Sequence, residues 1–396
     1  MEVKMKYDFD KVIDRSNTEA AKYQMRKPNF KTEDVIPLWV ADMDFEVPRP
    51  VIEAIKAKAD HGIFGYNVLT KEYKDAVINW QKRRNNWDLS PELLGTSPGV
   101  VPALIPLIEM FSKEGDQILI QPPVYPQFAN VIKNCDRRVL NNPLTEVDGL
   151  YFVDFEDLEE KLKKQPKLFI LCHPHNPVGK VFNQDELKRM GELCVKYKVP
   201  LISDEIHSDL TLWGNKHIPM ATISEEINDN TITCFSIGKT FNMAGFQFSS
   251  IYFNNLKNKE KFERFWNKIH VSSPSTLAQV GAIAAYNEGE DWLEQVKTYI
   301  ENNIKYVYNY IQENIPAIKV KMPQSTFLMW LDFRGLNLDG EELTQFLIKE
   351  AKLGLNAGET YGEGYERFAR LNVATPRSIL EKAMDQLKNA VDKMNV

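Results

Sequence analysis

The chain has 396 residues, 43% hydrophobic and 26% charged, with a formal net charge of −6. That length exceeds one small core and predicts two domains, with the composition of an ordinary soluble globular protein. The negative balance excludes a broad basic surface for nucleic acid or an anionic membrane, so any phosphate site must be local.

The opening "MEVKMKYDFDKV" lacks the apolar centre of a signal peptide, and no apolar run is long enough to span a bilayer. Cys135, Cys172, Cys194 and Cys234 are scattered without metal-ligand spacing and read as reduced thiols of a cytoplasmic protein. From about Val51 to Gln295 short apolar runs alternate with amphipathic helices, which predicts a parallel α/β sheet. The expected strands are "DQILIQ", "KLFILCH", "VPLISDE", "NTITCFS" and "FSSIYF". Between the second and third, "NQDELKRMGELCVKYK" puts Leu187, Met190, Leu193 and Cys194 on one helical face, with Asn183 as N-cap. After about Glu290 a long helix, "WLEQVKTYIENNIKYVYNYIQENI", leads to strand-like "FLMWLDF" and helix-like "GEELTQFLIKEA". The expected division is a large α/β domain over 51–290 and a smaller α+β domain from 1–50 and 291–396.

In an open parallel sheet, ligands bind beyond the carboxyl ends of the strands. "SPGVVPALIPLIEMF" sets Gly99, Val100 and Val101 at the entry of an apolar helix, either as a simple turn or as an anion cradle. "PPVYPQF" offers Tyr125 as a stacking face or a loop aromatic. "CHPHNPVGK" supplies Asn176; a metal site from Cys172, His173 and His175 is set aside for want of paired ligand spacing and a carboxylate. "LISDEIH" ends a strand with Asp204 and His207, and that carboxylate needs a cationic or donor partner unless it is an N-cap. In "SIGKTFNMAGFQFS", Lys239 is the sole charged residue from Thr231 to Tyr252. Such an amine holds an anion or reacts with a carbonyl. Together these parts match pyridoxal 5′-phosphate, which has a phosphate, a pyridinium nitrogen, a phenolate, a flat ring and an aldehyde.

The ordered segments "IPLWVADMDF", "FGYN", "SPGVVPAL", "PPVYPQF", "PHNPVGK", "SDEIHSDL", "GKTFNMAG" and "RLNVATPR" resemble the fold-type I pyridoxal-phosphate enzymes over nearly the whole chain. Among them the chain looks most like the MalY/PatB-type cystathionine β-lyases, the C–S lyase branch of the class I/II aminotransferase family. The resemblance implies that Lys239 carries the cofactor and removes the substrate Cα proton, and that Asp204 pairs with the ring nitrogen. It implies Asn176 and His207 at the phenolate oxygen, Tyr125 on the ring face, and Gly99, Val100, Val101 and the Ser236 hydroxyl at the phosphate. Arg370 would grip the substrate carboxylate, and Trp39, Val40 and Ala41 would form a loop closing over substrate. Tyr66 would reach the phosphate of a partner subunit, so that a homodimer shares its active sites.

Two positions depart from the usual aminotransferase pattern: Gln247 stands where a phosphate-binding arginine is typical, and Gly238 precedes the lysine in place of a small hydroxyl residue. The implied reaction is β-elimination from an amino-acid thioether such as L-cystathionine, giving thiol, pyruvate and ammonia. The alternative is an aminotransferase of neutral or aromatic amino acids. Binding of a transcription regulator is a further role known in this branch, without an identifiable surface here.

Overall fold

The computed structural model describes residues 7–271 and 273–394. Residues 1–6, which begin the stretch read above for a signal peptide and the expected small domain, and residues 395–396, which end that domain, lie outside the described residues. The centre is a seven-stranded sheet: β1 (Leu94–Ser97), β2 (Gln117–Ile120), β3 (Arg138–Asn141), β4 (Leu168–Cys172), β5 (Leu201–Asp204), β6 (Thr231–Phe235) and β7 (Ser249–Tyr252). Their spatial order is β1-β7-β6-β5-β4-β2-β3. The five from β6 to β3 are parallel, with Cys172 level with Asp204 and Asp204 level with Cys234. The fold is α/β with a mostly parallel sheet.

All five expected strands form. "FSSIYF" becomes β7 but runs antiparallel to both neighbours. The chain between β6 and β7 holds one four-residue helix and a 3-10 turn, too little for the crossover a parallel return requires. The edge strands β1 and β3 are short and poorly patterned, "LGTS" and "RVLN", and escape a reading by periodicity.

Strands β4, β5 and β6 are buried at every residue, as expected where helices cover both faces. Among the helices are α1 (Arg49–Asp60), α2 (Lys71–Asn85), α3 (Val100–Phe111), α4 (Gln184–Lys196), α5 (Ile237–Thr240), α6 (Thr276–Glu288), α7 (Glu290–Asn314) and α8 (Arg377–Asp392). Ile118, Ile170 and Ile202 join Leu104 and Leu107 of α3 in one core. The alternate residues Leu119, Phe169 and Leu171 join Leu187 and Met190 of α4 in another. Asn183 caps α4 as expected, accepting from Glu186 N at 2.9 Å while the Glu186 carboxylate accepts from Asn183 N at 2.9 Å.

A second sheet of four antiparallel strands, β8 (Lys319–Val320), β9 (Leu328–Asp332), β10 (Asn356–Ala357) and β11 (Phe368–Asn372), has the order β8-β9-β11-β10. Ile36–Pro37 pairs in parallel with Leu353–Gly354, tying the early chain to this C-terminal part. The 3-10 turn Gly358–Tyr361 fits only because Gly358 lacks a side chain: a Cβ there would lie 2.0 Å from Tyr365 O and 2.6 Å from Phe368 O. Backbone atoms cannot swing aside. Gly358→Ala should therefore cost on the order of 2 kcal/mol and lower the thermal midpoint; an unchanged midpoint would show that the turn has room.

Candidate active site

Strands β4, β5 and β6 all stop at one edge of the sheet, and the chain leaving each carries polar side chains into one cavity of about 700 Å³. Among its lining residues are Asn176 after β4, Asp204 and His207 at the end of β5, and Ser236 and Lys239 after β6. From elsewhere come Gly99–Val101 at the start of α3, Tyr125, the 39–41 segment and Arg370 of β11. Every expected site residue but Tyr66 lies in this wall.

Lys239 sits in α5, whose first turn is fixed by Ser236: its hydroxyl accepts from Gly238 N at 3.0 Å and donates to Phe248 O at 2.9 Å. That hydroxyl proton is thus engaged with the backbone, although Ser236 borders the cavity. The Lys239 ammonium donates to Ala41 O at 2.6 Å. Burial brings its pKa down to about 8, helped by the positive charge of Arg370 and opposed by Asp42 and Asp204. An amine so placed is partly neutral near neutrality, as a nucleophile or base requires.

Asp204 accepts from Ile206 N at 3.2 Å, and burial raises its carboxyl to about 7. Glu205 adds to the rise, while the Ile206 bond and Lys239 act against it. The buried His207 ring is pushed well below the usual imidazole range by burial and by the charges of Lys239 and Arg370, and its Nδ1 has no partner among the described residues. Arg370 donates from one terminal nitrogen to Asn176 Oδ1 at 3.2 Å and from the other to Trp39 O at 2.7 Å. Its guanidinium lies 5.5 Å from the centre of the Tyr361 ring.

At the far end, Gly99 adopts φ 153° and ψ 166°, a conformation for glycine alone, and opens the twelve-residue α3. The first N–H groups and dipole of α3 favour an anion there. Gln247 borders the same cavity with φ 49°. Gly238 is closely packed, since a Cβ would approach Ser236 Oγ to 3.2 Å and Ala244 Cα to 3.3 Å.

These features fit pyridoxal 5′-phosphate. The buried Asp204 carboxyl makes no ion pair among the described residues, and a pyridinium would supply one; His207 Nδ1 lacks a partner there, which a phenolate oxygen would be; and the α3 entry is shaped for a phosphate. Tyr66, by contrast, is fully exposed on the irregular stretch between α1 and α2, beside exposed Ile63, Phe64 and Val68. One chain does not bring it to its own cavity.

Sequence reasoning missed Asn356, Thr360 and Tyr361 in the wall. It also missed a buried ion cluster behind the 39–41 segment. Lys22, with no exposed surface, meets Asp44 at 2.8 Å and Asp42 at 3.4 Å, and Arg15 meets both carboxylates at 2.6 Å. Burial opposes the Asp42 charge, yet Lys22 and Arg15 outweigh it and hold this carboxyl below its ordinary range. The doubled aspartates of "WVADMDF" were a signal of such partners. The Cys172, His173 and His175 trio does not converge: His173 Nε2 lies 3.0 Å from Ile218 O and His175 Nε2 3.2 Å from Gln121 O.

The family described as aminotransferase class I and II matches residues 33–387. The chain is 40% identical over 385 residues to the cystathionine β-lyase PatB of Bacillus subtilis, with 97% of this chain and 100% of that protein covered. Cystalysin of Treponema denticola, whose crystal structure contains pyridoxal 5′-phosphate, superposes with a TM-score of 0.94 at 35% identity, covering 98% of this chain and 100% of that one. A pyridoxal-phosphate-bound C–S lyase of Staphylococcus hominis gives a TM-score of 0.91 at 32% identity, covering 98% and 99%.

Folding lifts the Asp204 carboxyl from 3.8 to about 7, so across that window the folded chain keeps a proton that the unfolded chain has lost. Stability from this group is therefore present below the window and falls as pH rises through it. In the cofactor-free protein, Asp204→Asn should raise the thermal midpoint at about pH 8 relative to the native chain, with the gain vanishing near pH 4. A gain that does not vary with pH would sink the assignment.

Proposed function

The chain belongs to the aminotransferase class I and II family, and within it we propose a pyridoxal-phosphate-dependent C–S β-lyase that splits cysteine S-conjugates such as L-cystathionine into thiol, pyruvate and ammonia. The observation that carries this reading is Lys239, an amine of lowered pKa facing Arg370 and Asp204 across one cavity, in a chain whose full-length relatives include C–S lyases.

When bound, pyridoxal 5′-phosphate supplies an aldehyde that captures amines and a ring that draws electrons from the carbon bearing the amino group. The protein's part is placement and proton traffic. Asp204 would hold a proton on the ring nitrogen through a charge-assisted hydrogen bond. Val100 and Val101 would offer backbone N–H groups to the phosphate, and Tyr125 would cover a ring face. Asn176 binds the phenolate side through its amide nitrogen while its Oδ1 steadies Arg370. Arg370 grips the substrate carboxylate and thereby fixes which bond at Cα faces Lys239. Lys239 Nζ is placed to take the Cα proton, and the electron pair left at Cα forms a Cα–Cβ double bond as the thioether sulfur on Cβ leaves as thiolate.

Within this reading two chains pair, each lending Tyr66 to the other's phosphate end; the exposed run Ile63, Phe64, Tyr66 and Val68 supports such a face.

L-cystathionine incubated with the holoenzyme should yield equimolar pyruvate and free thiol, and Lys239→Ala should remove both. Amino transfer to a keto acid with neither product would make the protein an aminotransferase. Arg370→Lys, which cannot make the two-pronged contact, should lower kcat/KM on the order of 100-fold, chiefly through KM.

A further inference from the structure

The segment from Leu38 to Phe45 has neither helix nor strand, yet nearly all its carbonyls are engaged. Leu38 O accepts from Asn372 N at 2.9 Å. Trp39 O accepts from Arg370 at 2.7 Å and from Asn356 at 3.0 Å. The Asn372 amide donates one proton to Val40 O at 2.7 Å and the other to Asp42 O at 2.6 Å. Between those two carbonyls, Ala41 O receives the Lys239 ammonium at 2.6 Å. Asn242 then clamps the far end, donating to Met43 O at 3.0 Å and Phe45 O at 2.9 Å and accepting from Met43 N at 2.9 Å.

Both asparagines are tied to the reacting groups by chain geometry. Asn372 and Arg370 share one side of β11 through two-residue alternation. Asn242 lies just past α5, and its φ of 57° turns its amide back to the segment. Asn372 is fully engaged, since its Oδ1 also takes Ala374 N at 2.8 Å. It has no side-chain freedom left to exchange partners.

We propose that Asn372 and Asn242 are positioning residues. By pinning the backbone of residues 40–45 they hold the Ala41 carbonyl against Lys239 and the Trp39 carbonyl against Arg370. The proton-accepting amine and the carboxylate-gripping cation are thus referenced to one rigid strut. The catalytic side of this inference rests on the lyase reading above; the strut itself does not. In this proposal the 39–41 carbonyls are a common reference for both groups.

The physical reason is the cost of leaving partly buried carbonyls unpaired. Without the Asn372 amide, Val40 O and Asp42 O lose their donors, and the segment must shift to recover them. A shift of the strut moves the acceptor of Lys239 and one acceptor of Arg370 together.

The test uses the full-length chain with Asn372→Ala and Asn242→Gly, beside Asn303→Ala as comparison. Asn303 is as buried and donates to Val373 O and Thr375 O, with no bond to residues 38–45. None of the three adds or removes a charge, and the groups facing Lys239, namely Arg370, Asp42, Asp204 and His207, keep their identities. Glycine at 242 meets no strain at positive φ, so this variant carries the test if Asn372→Ala does not fold. In protein freed of cofactor, acylation of Lys239 by acetic anhydride, read by peptide mass, should reach its midpoint at lower pH in both variants, because the ammonium loses a fixed acceptor. In the holoenzyme, KM for L-cystathionine should rise about fivefold or more, the size expected for one hydrogen bond. Asn303→Ala should lower the thermal midpoint and leave both readouts alone. If all three variants lose stability while the acylation midpoint and KM stay at native values, the asparagines are structural only and the proposal is overturned. If the native enzyme releases no thiol, the lyase reading fails, and the acylation midpoints alone decide the strut.

Discussion

A primary amine and a guanidinium share one poorly solvated cavity, and most of the surrounding structure serves that placement. Water would hold Lys239 charged at neutral pH; burial and the nearby Arg370 bring it to about 8. Asp204 and Asp42 keep the fall from going further. The lysine is therefore poised between a charged state that the Ala41 carbonyl accepts and a neutral state that can attack or accept a proton.

The central sheet is what makes the arrangement reproducible. Parallel strands end together, so Cys172, Asp204 and Cys234 stand in register and the chain leaving each delivers its polar residue to the same edge. Full burial of those strands fixes their register, because a slip would turn apolar side chains of two separate cores onto the wrong face. The second sheet supplies Arg370 from β11, and Ile36–Pro37 pairs beside Leu353–Gly354 on the approach to the 38–45 segment. Chemistry at the site thus depends on contacts between parts of the chain more than 300 residues apart, such as Arg370 with Trp39.

Much of this was legible from particular residues. Lys239 stood out because no other charge lies near it in sequence, and a lone charge in an apolar stretch must have a purpose that burial does not defeat. Asp204 was legible as a carboxylate that closes the apolar strand "LISD" and there needs a cationic or donor partner. The direction of β7 was not legible, since an apolar run carries no mark of its polarity and only the short link from β6 decides it. Asn242 and Asn372 were quoted within "GKTFNMAG" and "RLNVATPR" without a role, because an asparagine amide shows its use only through the carbonyls it meets.

By itself the sequence determined the α/β alternation, the strand-end residues and the chemical identities of an amine, an acid, an amide and a guanidinium, because these follow from local patterning and from the cost of burying charge. Tertiary structure alone decided which carbonyls those groups face, that Lys22 and Arg15 neutralise Asp42 and Asp44, and that Tyr66 lies exposed outside its own chain's cavity wall. Hydrogen bonds and ion pairs act over a few ångströms, and which groups come that close is settled only when distant segments pack.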